Sequence, residues 1–257
     1  MTGAHLSVRQ IAKQFQGIIA VDRISFEVPA NSITGLIGPN GSGKTSTMNM
    51  ITGLYAADAG WIRLDDVSID GQAPFEIAKL GVARTFQNIR LLGDHTVLEN
   101  VALGCHLTRT TGLLATLLNL PSQAREKRRV TEKCRELLAL LGIENLAETR
   151  AASLSYGDRR RVEIARALGM HPRLLLLDEP AAGMSRAERQ KLVDVIRNIR
   201  SRGISILLIE HDIELVSNTC DRIVVLNFGR EIAEGTSEEI RKNPAVIEAY
   251  LGSDADA

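Results

Sequence analysis

"GLIGPNGSGKTS", residues 35–46, sets little side chain and much bare backbone directly behind an apolar run. Within it Gly38, Gly43, Lys44 and Thr45 satisfy the pattern G-x-x-x-x-G-K-[ST]. Glycines allow a tight turn in which successive N–H groups curl round an anion. The lysine then reaches the β and γ phosphates of a nucleotide, and the next hydroxyl is a ligand for Mg2+. The flanks fit that use. "SITGLIG" before the turn reads as a short buried strand. "KTSTMNMITGLY" after it puts Met48, Ile51 and Leu54 at helical spacing and ends near Gly53. The start of that helix adds its positive end to the phosphate field. Gly38, Pro39, Asn40, Gly41, Ser42, Gly43, Lys44, Thr45 and Ser46 are therefore read as the cradle of a nucleoside triphosphate.

Bulk properties narrow the class. The 257 residues hold one large domain, or a domain with a sizeable insertion. Lys plus Arg and Asp plus Glu number 31 each, so no basic field points to nucleic acid. Five Phe, three Tyr and one Trp are too few for a base-stacking surface. Cys105, Cys134 and Cys220 are odd in number and scattered, which reads as reduced, partly buried thiols of a cytosolic protein. The N-terminal "MTGAHLSVRQ" is unlike a secretory signal. The longest apolar runs, "GLLATLLNL" and "ISILLI", are far below bilayer length, so no membrane span is expected.

Strand-like alternation occupies residues 5–35 and 60–72, as in "ISFEV" and "WIRLDDVSI". From 95 to 153 the pattern turns helical, as in "REKRRVTEKCRELLALLGI". Beyond 160, apolar strands alternate with helices, which predicts a parallel sheet with helices on it. An α/β core with a helical insertion fits this order.

Two later strands end in chemistry. "RLLLLDEP" is too apolar for a half-exposed strand and stops at Asp178 and Glu179. "ISILLIEHD" stops at Glu210, His211 and Asp212. Ligands of open parallel sheets sit beyond the carboxyl ends of the strands. Asp178 can hold Mg2+ through water as a second anchor beside Thr45. Glu179 can polarise a water attacking the γ-phosphate. His211 can donate to that phosphate and sense it, its plain alternative being an interface residue. Asp212 reads equally well as the cap of the next helix.

"LSYGDRRRVEIARAL", residues 154–168, begins with the turn and cap residues Ser155, Tyr156 and Gly157. Val162, Ile164, Ala165 and Leu168 then supply the apolar positions of a helix. A Ser–Gly turn at a helix N-terminus is a second anion site. One chain with one phosphate loop and one such turn suggests a head-to-tail pair, each Ser155 and Gly157 closing on the partner's nucleotide.

At this point the chain resembles the ATPase subunit of an ATP-binding-cassette transporter, over nearly its whole length. "LSYGDRRRVEIARAL" is similar to that family's signature motif, followed at the family's distance by "LLLLDEP" and "LLIEHD". The resemblance implies a P-loop NTPase fold: a mostly parallel core sheet, an antiparallel β subdomain and a helical subdomain at 88–153 within a single domain. It makes Gln87 in "RTFQNIRLL" the Q-loop glutamine, a catalytic and Mg2+-side residue, and Phe15 in "KQFQGIIAV" the aromatic that stacks on adenine. It implies ATP and Mg2+ as cofactors and a second ATPase subunit, identical or a sibling. It also implies integral-membrane permease subunits, an indirect solute-binding protein outside the membrane, and a cytoplasmic place on the membrane's inner face.

"HTVLENVALG", "EPAAGM", "DRIVVLNFGREIAEGT" and "NPAVIEAYLG" resemble the high-affinity branched-chain amino-acid importer ATPases, a branch with relatives for urea, short amides and aromatic acids. Three positions depart from the broader family: Tyr156 for Gly, Asp158 for Gln, and Ser185 for Asp or Asn in the D-loop. Asp158 sets a negative charge near the incoming γ-phosphate, from which slower turnover is expected. The competing readings are a soluble cassette ATPase acting on ribosomes or DNA, and a phosphotransferase, which leaves "LSYGD" unexplained.

Overall fold

The computed structural model describes residues 3–105 and 121–251. Two sheets organise them. Strands β1 (Leu6–Phe15), β2 (Ile18–Val28), β4 (Ala59–Leu64) and β5 (Val67–Ser68) pair antiparallel in the order β2-β1-β4-β5. Strands β3 (Ile33–Ile37), β6 (Val82–Arg84), β7 (Leu174–Asp178), β8 (Ser205–Ile209), β9 (Arg222–Asn227) and β10 (Arg230–Gly235) form the second sheet. Its order is β10-β9-β3-β8-β7-β6, parallel except for β10.

The leucine run on β7 shows why this sheet is buried on both faces. Successive side chains of a strand point to opposite sides. Leu174 and Leu176 enter one core with Leu207 and Ile209 of β8 and the inner face of the antiparallel sheet, including Leu6, Ile11 and Phe26. Leu175 and Leu177 enter the other core with Ile206 and Leu208 and the helices. Each buried leucine contributes roughly 1.5–3 kcal/mol.

Nine helices are described: α1 (Lys44–Ile51), α2 (Pro74–Lys79), α3 (Val97–Gly104), α4 (Pro121–Leu140), α5 (Tyr156–Gly169), α6 (Arg186–Ser201), α7 (Ile213–Thr219), α8 (Ser237–Lys242) and α9 (Pro244–Leu251). Helices α3, α4 and α5 lie between the paired strands β6 and β7 in the chain. Polar caps start several of them: Thr96, Ser155, Ser185, Asp212 and Thr236 each accept a hydrogen bond from the first turn. The cap reading of Asp212 is thus met.

The helix after the loop ends near Gly53, as its sequence suggests. Helix α1 closes at Thr52 and Gly53, whose φ is +73°, with Gly53 N–H donating to Met50 O and Leu54 N–H to Asn49 O. This paired closure leaves Leu54 beyond the helix, half exposed, while Met48 and Ile51 are buried. Among the described residues no helix is long and apolar enough to cross a membrane; "GLLATLLNL" lies outside them. Cys105 and Cys134 are buried thiols with their sulfurs 3.9 Å apart, too far for a disulfide, and Cys220 is partly buried.

Candidate nucleotide site

Four neighbouring parallel strands, β3, β8, β7 and β6, end on one edge. They carry the loop from Gly38, then Glu210–Asp212, Asp178–Glu179, and Thr85–Gln87. The pairing Leu36↔Ile209, Asp178↔Ile209 and Arg84↔Leu176 keeps these ends level. The sheet therefore collects residues up to 174 positions apart in the chain, from Gly38 to Asp212.

The loop is built for close backbone approach. Gly38, Gly41 and Gly43 take φ of +150°, +79° and +100°. A Cβ on Gly43 would stand 2.7 Å from the Ala20 carbonyl of β2, so only glycine fits where the loop enters α1. Lys44 is buried, and its ammonium donates to the Gly38 and Pro39 carbonyls at 2.7 and 2.8 Å and to Ser42 Oγ at 3.3 Å. Burial pushes its pKa down, against the nearby charges of Glu179 and Asp178. Ser42 is buried, Ser46 and Pro39 half-buried, and Asn40, Gly41 and Thr45 exposed on the loop's outer side.

Opposite the loop, Asp178 is buried and Arg84 donates to its Oδ2 at 2.8 Å. Glu179 follows in the left-handed region at φ +44°. That conformation costs a non-glycine residue about 1–3 kcal/mol; its N–H is held by Ile209 O at 2.9 Å. Gln87 is exposed and its amide donates to Glu179 Oε2 at 3.1 Å, so the structure joins these two predicted residues directly. His211 is exposed, with Nδ1 3.8 Å from the buried Glu210 carboxylate. Phe15 stands at the end of β1, exposed over about a third of its surface, and meets Tyr55 edge to face at 5.2 Å. It is not a core phenylalanine.

Ser155 Oγ accepts from Asp158 N at 3.1 Å and donates to Asp158 Oδ2 at 2.7 Å. Asp158 is ion-paired with Arg161. The negative charge expected to face a phosphate is thus offset inside its own helix turn. Gly157 is buried, and a Cβ there would stand 2.6 Å from Glu188 Oε1, displacing that carboxylate. Ser185 caps α6 through a reciprocal pair with Glu188.

Three further residues shape the site: Glu210, named above only as a strand end, and Arg160 and Arg84, which the sequence reading does not name. Glu210 is 1 % exposed and accepts from Ala181 N at 2.8 Å; burial pushes its carboxyl up. Arg160 is fully buried and donates to the carbonyls of Phe86 and Gln87 and to Glu163. Its signal was available: position 160 is four before Ile164 and eight before Leu168, on the apolar stripe of α5. Arg84 had no local signal.

A model of the ABC transporter family matches residues 21–182, more than half of the chain. The chain belongs to the ABC transporter family. A model described as branched-chain amino acid ATP-binding cassette transporter matches residues 230–256. The chain is 43% identical over 248 residues to the high-affinity branched-chain amino acid transport ATP-binding protein LivG of Escherichia coli K12, covering 96% of this chain and 97% of that one. It is 42% identical to BraF of Pseudomonas aeruginosa, a protein of the same description, with the same coverage. Among solved structures, the cassette MJ1267 in its ADP conformation superposes with a TM-score of 0.85 at 33% identity, covering 98% of this chain and all of that one. This cassette is the ATP-hydrolysing subunit of an ABC transporter, and the α/β fold with its parallel and antiparallel sheets is that of the family.

Proposed function

We propose that this ATPase powers an importer of branched-chain amino acids or related small amides and carboxylates. It would work as a head-to-tail pair, with itself or a sibling ATPase, on integral-membrane permease subunits at the inner face of the cell membrane. A periplasmic or extracellular solute-binding protein would deliver the solute to the permease. The observation that carries the reading is near-full-length identity of 42–43% to relatives described as branched-chain amino acid transport proteins.

Within each half-site, Gly38 to Ser46 cradle the phosphates, with Lys44 exchanging loop carbonyls for β- and γ-phosphate oxygens. Phe15 stacks on adenine, and Ser155 and Gly157 close on the partner's nucleotide. The donor set for Mg2+ is all oxygen, the Thr45 hydroxyl and the Asp178 carboxylate, with Gln87 beside it. Among the described residues no cluster of three or more His, Cys, Asp or Glu could form an all-protein metal cage. That suits a cation bound through one carboxylate and substrate phosphates. Held by those residues, Mg2+ would supply positive charge against the negative charge of the phosphates. Glu179 takes the proton of the attacking water, Gln87 orients Glu179, and His211 donates to the γ-phosphate.

A surface groove supports the docking of a permease loop. One wall carries Leu103, Ala167 and Met170, the other Leu54, Pro74 and Ala78, with Arg84 and Phe86 between them. Leu103 comes from the helical segment 88–153, Ala167 and Met170 from the end of α5, and the opposite wall from the end of α1 and from α2. The test is purification of the native complex followed by reconstitution with its solute-binding protein. Hydrophobic permease subunits and ATPase activity stimulated by leucine, isoleucine or valine are expected. Copurifying ribosomes or DNA, with no permease, would overturn the reading.

A further inference from the structure

Arg84, the last residue of β6, ties together three elements of the site. Its Nη2 donates to Asp178 Oδ2 at 2.8 Å. Its Nη1 donates to Asn49 Oδ1 at 2.7 Å and to Thr52 Oγ1 at 3.3 Å, both at the end of the helix that begins with Lys44 and Thr45. The Arg84 side chain is 8% exposed and that of Asp178 6%. Its Nε is buried without a hydrogen-bond partner, so the guanidinium is held there at a desolvation cost. The fork also lies over the Phe86 ring, 5.3 Å from the centroid, in the segment that leads to Gln87.

We propose that Arg84 is the positioning residue of the cation site. It locks the Asp178 carboxylate by one oxygen to the phosphate-loop helix, so that Oδ1 and the Thr45 hydroxyl keep a fixed separation. This rests on the reading of Asp178 as the Mg2+ anchor. A planar fork does what a point charge does not: it reaches Asp178 with one nitrogen and Asn49 with the other. Loss of a partner that orients a metal-ligating carboxylate typically costs about 10–100-fold in metal affinity. The same guanidinium lines both pockets of the groove described above, so a segment seated there would press on the side chain that orients Asp178.

The test measures ADP affinity by calorimetry with excess Mg2+ and again with EDTA, in the parent, Arg84→Met, Arg84→Lys, Asn49→Ala and Asp178→Asn. Arg84→Met should shrink the Mg2+-dependent gain by about tenfold or more while EDTA affinity stays within about twofold. Arg84→Lys should recover part of the gain. Asn49→Ala, which leaves every charge in place, should lose a smaller part, and it keeps the test open if Arg84→Met does not fold. If Asp178→Asn loses the gain while the Arg84 and Asn49 variants keep it, Arg84 is structural only and the proposal falls. A larger gain in Arg84→Met would make Arg84 a competing charge, which also overturns it. If Asp178→Asn itself keeps the gain, the underlying Mg2+ assignment fails, and the proposal with it.

Discussion

Arg160 of the signature helix donates through Nη2 to the main-chain carbonyl of Gln87 at 2.8 Å, and through Nη1 to Phe86 O at 2.6 Å. The helix that would close on the partner's nucleotide is thereby tied to the segment that contacts Glu179 in its own site. The tie is buried and charged: Glu163 accepts from Arg160 at 2.7 Å and from Phe86 N at 3.2 Å. Burial pushes the Glu163 carboxyl up, opposed by Arg160.

Removing one partner of a buried ion pair strands the other charge. Arg160→Met should therefore destabilise the protein by about 3–5 kcal/mol, and the double variant with Glu163→Leu should recover much of that loss. Urea unfolding checks both. A single variant as stable as the parent would show that the pair is energetically neutral.

Glu179→Gln keeps the shape of the side chain but removes its basicity. Hydrolysis should slow by about 10²-fold or more, while Mg2+-ATP binding persists. Unhydrolysed ATP should then hold an ATP-dependent dimer, visible by size-exclusion chromatography where the parent is monomeric. Parental turnover would place the base elsewhere, with His211 next in line.

Lys44→Ala removes the charge proposed to meet the β and γ phosphates, together with three internal loop bonds. ATP binding should weaken or hydrolysis vanish in a phosphate-release assay. Undiminished activity would refute the loop as the nucleotide site.

Ser155→Arg should leave ATP binding by the isolated chain nearly intact and abolish hydrolysis, because the bulk blocks only the partner's γ-phosphate. The lost cap on α5 costs about 1 kcal/mol, too little to unfold a domain of this size. Equal loss of monomer binding would put the serine turn in the chain's own site.

The capping boxes set an acid limit. Hydrogen bonds from the Thr96 and Thr236 amides hold Glu99 and Glu239 below their usual value of 4.5. A carboxyl depressed in the folded state contributes stability above its unfolded pKa and loses it as pH falls through the folded one. Thermal unfolding followed from about pH 7 to about pH 3 should show a shallower acid loss in the Glu99→Gln, Glu239→Gln double variant. Parallel curves for variant and parent would contradict this.

The α/β class, the phosphate loop and the strand-end carboxylates were legible in the sequence because each is written in consecutive residues. Glycine spacing at 38–43 encodes a turn, four leucines encode a strand buried on both faces, and Ser155 before an apolar stripe encodes a helix start. Gly53 encodes the left-handed closure that ends α1 and leaves Leu54 outside the core. The place of Glu210 at a strand end and of Arg160 on the apolar stripe of α5 is legible in the sequence, but their partners, and Arg84 altogether, are readable only in three dimensions. Arg84 is a charged residue after a short apolar strand, and nothing local distinguishes it from a surface arginine. Its meaning comes from Asp178, 94 positions away, which the β6–β7 pairing brings alongside. A charge becomes structural only when its partner is desolvated with it, and desolvation is a property of the packed sheet edge, not of the chain.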